Sequence, residues 1–500
     1  MKSAIKQSLR KLTKSVAVYL AKHPAWHFLE RHSLVPAFAR RLVVIEAYQH
    51  GQIEGPARVL EASGDTSDPR FARILEIRER LLSEPPQLAP RSSALRPPNK
   101  NVLFALHHSH PHNVAGYSVR TRHIIENLAT LGINITSVTR PGFPWHMSKP
   151  PSDIALEDEV DGIRYSRIPS FGLKAGKSSD RQFISGYAEA LAPWVENYDC
   201  SALHSASNYI DGLAGAAAAR ATGARSIYEV RGLWYLSQAT RKPSLEGSPR
   251  THYEELMEIE AMNASDQVVT LSRALSERIQ SWGISAEKIT EVPNAVDTDW
   301  FKPLTTDKEL RKQLGLEDCL VVGFVGSIQE YEGLDTLVEA VSKLRASEVK
   351  IRVVIVGDGP AFKKLKATVQ SCAVADNVML IGRVPFEQVA RYYSILDVCV
   401  FPRKDYEVCR LVPPLKILEA MAMEKAVIVS DVAPLLEMVE AGKAGLVFRA
   451  GNAADLAESL MALAANPTLR ASLAKSARKW VIEHRSWKKI AKRYLHLYGL

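Results

Sequence analysis

The chain has 500 residues, 46% of them hydrophobic and 24% charged, with a formal charge of +9. That length exceeds a single core and sets roughly two to four domains as the expectation, while the apolar share excludes a disordered or collagen-like chain. Residues 1–41 hold nine Lys/Arg against the single acid Glu30, so the other 459 residues are nearly neutral and a generally basic nucleic-acid coat is excluded.

The charged start has a helical pattern. Ile5, Leu9, Leu12, Val16, Tyr19 and Leu20 share one face, Arg10, Lys11 and Lys14 the other, and Pro24 ends the run. A basic amphipathic helix over 1–24 fits two settings: an anionic membrane surface, or docking on its own protein. Residues 25–83 read as a helical extension, with helical spacing over Ala47–Leu60 and Phe71–Leu82. Five prolines mark residues 84–99 as a semi-rigid linker. No apolar run approaches the roughly 18–20 residues of a membrane span. The five cysteines lack metal-ligand or framework spacing, which points to a reducing compartment. The expected location is cytoplasmic, peripheral at the inner face of the membrane.

Beyond residue 100, short Val/Ile/Leu runs alternate with helices. Strands are expected at Val102–Leu106, Ile135–Thr139, Ala202–His204, Ser226–Val230 and Val268–Leu271. A second series is expected at Val321–Val325, Arg352–Val356, Val378–Ile381, Val398–Phe401 and Ala426–Val429. The fold class is therefore α/β: two doubly wound parallel-sheet domains, 100–296 and 297–485, with a closing segment 486–500. Ligands of such folds bind at the carboxyl ends of the strands, here the cleft between the domains.

Several motifs lie at those ends. His107, His108, His110 and His112 crowd one strand end without a carboxylate or Cys, so a metal site is not expected. Gly116 and Tyr117 open a helix carrying Arg120, suited to an anion or sugar oxygen. Arg231 and Gly232 follow the strand that ends at Val230. Gly326-Ser327 and Gly357-Asp358-Gly359 end two further strands without forming the dinucleotide fingerprint. The richest segment is Phe401–Ala422. Arg403 sits at a strand end and Lys416 in the first turn of the helix opened by Pro413-Pro414, together a diphosphate site. Glu419, three residues on, can accept two hydroxyl hydrogen bonds from a ribose or sugar.

These segments resemble, in order, the retaining glycosyltransferases of family 4, which have the GT-B fold; the likeness spans roughly residues 101–498. Ala115-Gly116-Tyr117 looks like the family's Gly-Gly-Tyr loop. His204 to Asn208 looks like its His-containing strand end, and Val292 to Asp297 its interdomain segment. Gly357 to Pro360 matches Gly-Asp-Gly-Pro, and Pro414 to Ala422 the donor helix. The departures are Leu411 where the family's first motif Glu stands, Ala206 for a second His, and Ser327 and Glu332 for the usual Arg and Lys. Tyr331 to Asp335 with Pro414-Leu415-Lys416 resembles a subgroup in which Arg403 and Lys416 replace the missing cations.

The resemblance implies an enzyme moving sugar from a nucleoside diphosphate sugar to a glycan or lipid-linked acceptor, retaining anomeric configuration, with neither cofactor nor metal. A role in cell-surface polysaccharide or glycolipid synthesis is implied. Its catalytic residues would be His204, Arg231, Arg403 and Lys416. Donor contacts would come from Gly326, Ser327, Gly357, Gly359, Arg383, Val412, Leu415 and Glu419, and acceptor contacts from Gly116, Tyr117 and Arg120. The closing helix around Trp487–Tyr498 would cross back to the first domain. Two other readings stay open: a GT-B partner subunit that binds without turnover, and a nucleotide-sugar epimerase.

Overall fold

The computed structural model describes residues 37–84, 91, 93–172, 174–345, 349–440 and 443–500. The expected helix over 1–24 lies outside the described residues.

Two sheets carry the chain. The first has the order β3-β4-β2-β1-β5-β6-β7-β8. Its strands are β1 (Asn101–Leu106), β2 (Asn134–Thr139), β3 (Glu157–Val160), β4 (Ile163–Arg167), β5 (Ala202–Ala206), β6 (Arg225–Val230), β7 (Gln267–Thr270) and β8 (Ile289–Glu291). All pair in parallel except β3 with β4. The second has the order β11-β10-β9-β12-β13-β14 and is parallel throughout. Its strands are β9 (Leu320–Val325), β10 (Ile351–Val356), β11 (Val378–Gly382), β12 (Val398–Phe401), β13 (Ala426–Ser430) and β14 (Leu446–Phe448). Every residue of β9, β12 and β13 is buried, as continuous apolar strands covered on both faces must be. Strand order reverses between β1 and β5 and between β9 and β12, and a crevice opens at each reversal.

The helical reading of 47–60 needs one correction. A helix ends at Gln49 and another begins at Glu54, because Gly51 turns the chain at φ +88°. These helices and Pro69–Leu82 lie on the first domain. Arg73, 5% exposed, pairs with Asp180 at 3.0 Å and reaches the Tyr48 and Tyr209 hydroxyls. The described part of the Pro-rich segment is also docked: Arg91 pairs with Asp266, and Arg96 donates to Thr222 O and Gly223 O.

The last residues return to the first domain. Val296 bridges Ser486, and Trp487, Ile490, Tyr494 and Tyr498 are buried in the cluster that holds Phe104 and Ile227. Among the described residues, no helix is long and apolar enough to cross a membrane.

Candidate functional site

The loop and short helix after β12, residues 402–415, bind the two halves together. Ser272 Oγ donates to Leu411 O at 2.6 Å and Asn294 Nδ2 to Pro413 O at 2.8 Å. Val412 packs on Gly232 and Leu415 on Gly116. Residues 407–411 form a short helix whose Glu407 pairs with Arg278 at 2.7 Å.

The second domain brings Arg403 and Lys416 together. Lys416 Nζ donates to Glu332 Oε1 at 2.6 Å and to Ser327 O at 3.1 Å. Arg403 Nη2 and Nε reach the same carboxylate at 3.3 and 3.4 Å, and Nη1 donates to Val412 O at 2.7 Å. The cations thus meet the two residues, Ser327 and Glu332, that stand where the family usually carries its own. Gly326, at φ +144°, makes this possible: a Cβ there would sit 2.4 Å from Lys416 Cε. Burial alone would raise the Glu332 carboxyl, but Lys416 and Arg403 hold it down at about 2. Burial likewise disfavours the Arg403 charge, and Glu332 outweighs it. Arg403 is buried, whereas the Lys416 side chain keeps 17% of its surface exposed.

Glu419 accepts a hydrogen bond from Tyr393 Oη at 3.0 Å, and burial pushes its carboxyl up to about 7. Gly357 passes so close to Gly326 that a Cβ would meet Gly326 O at 1.9 Å. Ser327 is exposed, Gly359 half-buried, and Arg383 exposed just past β11.

On the facing domain the hub is Glu229, fully buried at the end of β6. Arg120 Nε and Arg231 Nε donate to its Oε1 at 2.7 and 3.1 Å. His204 Nε2 lies 2.9 Å from Oε2, and Tyr494 Oη donates to Oε2 at 3.3 Å. Three expectations change here. His204 has no exposed surface: Glu229 is on one side of its ring and Tyr498 Oη, 2.9 Å from Nδ1, on the other. It cannot touch substrate. Arg120, 2% exposed, is saturated by Glu229, Val292 O, Pro293 O, Asn294 and Tyr494, so it holds the domain together instead of meeting an acceptor. Tyr117 Oη donates to Ala206 O and accepts from His107 N, a strand-end brace. Arg231 uses Nη1 on Tyr117 O and Thr121, but its buried Nη2 is unpartnered.

The two halves also match family models in the order seen in space. Residues 114–300 match Glycosyltransferase Family 4, and residues 306–480 match Glycosyl transferases group 1. The chain is a GT-B glycosyltransferase. It is 25% identical over 382 residues to an alpha-D-kanosaminyltransferase of Streptomyces kanamyceticus, covering 71% of this chain and 92% of that one. It is 28% identical over 232 residues to a GDP-mannose-dependent alpha-(1-6)-phosphatidylinositol monomannoside mannosyltransferase of Mycobacterium tuberculosis. That match covers 46% of this chain and only 60% of the relative. The fold is shared with sucrose-phosphate synthase from Thermosynechococcus elongatus, at a TM-score of 0.65 and 22% identity, over 80% of this glycosyltransferase and 98% of that chain.

Several site residues carry no signal in the sequence that singles them out. Nothing local in the sequence marks Tyr393, and Tyr494 and Tyr498 carry only their spacing of four, one face of a helical turn. Glu332 stands out in the sequence as a departure from the family pattern, and only the fold shows it as the partner of both cations.

Proposed function

We propose that the chain moves a sugar from a nucleoside diphosphate sugar to a glycan or lipid-linked acceptor, with retention at the anomeric carbon. The observation that carries this reading is the convergence of Lys416 and Arg403 on Glu332 beside Gly326 and Gly357. As the bond from the anomeric carbon to the diphosphate oxygen breaks, negative charge grows on the leaving group. Lys416, partly in solvent, shifts from Glu332 toward that charge, and Arg403 stays fixed behind it. Free N–H groups at the start of the 416–422 helix add to the positive field. The acceptor oxygen forms its bond on the face that the diphosphate leaves, and its proton passes to a leaving phosphate oxygen, so no side chain needs to act as base. Glu419, steadied by Tyr393, accepts the ribose hydroxyls. Arg231, through its spare Nη2, orients sugar or acceptor. No cofactor or metal is part of this scheme.

The mannosyltransferase relative is named for a nucleotide-sugar donor and a phosphatidylinositol acceptor, which supports a lipid-linked acceptor here. A basic helix over residues 1–24 would then hold the cleft near an anionic leaflet at the cytoplasmic face, in polysaccharide or glycolipid synthesis. Incubating the protein with UDP-, GDP- and ADP-sugars, with and without membrane lipid, and reading product configuration by NMR tests the reaction. Retained configuration supports it; inverted product, or donor interconversion alone, refutes it. Leu411, buried where the family has Glu, favours a second reading: a partner subunit that binds donor without turnover. Nucleotide-sugar binding with neither transfer nor slow hydrolysis would establish that one.

A further inference from the structure

Seven arginines among the described residues are less than a tenth exposed. Six face a carboxylate. Arg73 pairs with Asp180, Arg120 and Arg231 with Glu229, Arg167 with Asp158, Arg403 with Glu332 and Arg485 with Glu437. Arg140 is the exception. It is 7% exposed and forms no ion pair among the described residues; one N–H reaches Pro141 O at 3.4 Å, and its buried Nε has no partner. A guanidinium carries five donors, and a buried charge without a partner is costly to keep.

The surroundings suit a ligand. Arg140 follows β2 directly and its backbone N–H bonds Leu106 O at the end of β1, beside the strand-order reversal. Its guanidinium lies 6.0 Å from the Phe143 ring centre. The His108 ring is 5.2 Å from Phe143 and stacks on Trp234 at 6.2 Å and 4°. His146 Nδ1 is also buried and unpartnered. Burial, reinforced by the Arg140 charge, keeps His107 and His146 neutral, and holds His108 down at about 2. The carboxyl that faces this group, Asp211, is fully buried and engaged 2.7 Å from His107 Nδ1 and 3.5 Å from Tyr187 Oη. Burial pushes it up to about 7 against the pull of the Arg140 charge, and no hydrogen bond or ion pair joins the two among the described residues.

We propose that Arg140, backed by the buried Phe143 ring, with His146 beside it and the partly exposed His108 and Trp234 rings as a wall, binds an oxyanion, phosphate or carboxylate, carried by the acceptor. Aromatic faces of this kind pack against the C–H groups of a sugar while the guanidinium takes two oxygens of the anion. This rests on the reading that the first domain holds the acceptor, and it narrows that acceptor to an anionic one.

The test is tryptophan fluorescence of the full chain titrated with inorganic phosphate and, separately, glucuronate, at constant ionic strength. A Trp234→Phe chain identifies the local signal. The expected result is a saturable change with at least one anion, weakened about tenfold or more in Arg140→Gln and partly restored in Arg140→Lys. The stronger of the two anions tells phosphate from carboxylate. Without anion, Arg140→Gln should melt no lower than wild type, since an unpaired buried charge is removed. The signal should persist in Lys416→Ala, so a loss of nucleotide binding there bears on the donor site alone. An unchanged titration in Arg140→Gln, no saturable change with either anion, or a lower melt in Arg140→Gln without effect on the titration overturns the proposal.

Discussion

Each face of the cleft is built on one buried carboxylate that holds two cations, yet the two hubs differ in what else reaches them. Glu229 is sealed: two arginines, His204 and Tyr494 surround it, and Tyr498 closes the far side of His204. Glu332 is open on one side, because Lys416 approaches it from a helix start and stays partly in solvent. A sealed ion cluster holds a fold together. An open one can trade its internal anion for an external one of the same chemistry. The same arrangement of charges is thus scaffold on one side and candidate binding machinery on the other.

The largest expected effect breaks the sealed hub. Glu229→Gln leaves Arg120 and Arg231 buried without a counter-charge, and unfolding should become easier by about 3–5 kcal/mol. Nucleotide should raise the melt of this variant no more than it raises that of wild type. Glu332→Gln should cost less, about 2–3 kcal/mol, because Lys416 can turn to water while Arg403 alone stays stranded. Here a nucleoside diphosphate should restore the melt, by about 2.7 kcal/mol at a hundredfold excess over its Kd. A recovery that is equal in both variants, or absent in both, would erase the distinction.

The next effect is on pH. Glu419, raised by burial from 4.5 to about 7, is protonated in the folded state over a range where the unfolded chain has lost that proton. Its contribution to stability therefore falls as pH rises through that range. Ribose binding needs the ionised form, so nucleotide affinity should climb about tenfold from about pH 6 to about pH 8. Glu419→Gln should flatten the profile, as titration calorimetry at both pH values would read. The smallest expected effect on stability is at the seam. Asn294→Ala loses the bond to Pro413 O and the one it accepts from Arg120, and should lower stability by about 2 kcal/mol, equally with and without nucleotide.

Much of this architecture is legible in the sequence because parallel strands buried on both faces must be continuously apolar. The strands that escape are the exceptions: β3 (EDEV) is charged, β4 (IRYSR) mixed, and β8 and β14 are three residues each at sheet edges. The chemistry of 401–422 is legible from its local cations and helix start. Its counter-charge is not, since Glu332 lies 84 positions from Lys416. His204 misleads for the same reason. Strand-end position does not tell a residue facing the cleft from one beneath it, and Tyr498, which covers it, stands 294 positions away.

The central claim is that Lys416 and Arg403 exchange Glu332 for a donor diphosphate. The direct measurement is calorimetric titration of UDP, GDP and ADP into wild-type and Lys416→Ala chains, with thermal melts of both. The expected result is binding of at least one nucleotide by wild type, weakened about a hundredfold in Lys416→Ala with the fold intact. Equal nucleotide affinity in the two chains would contradict it.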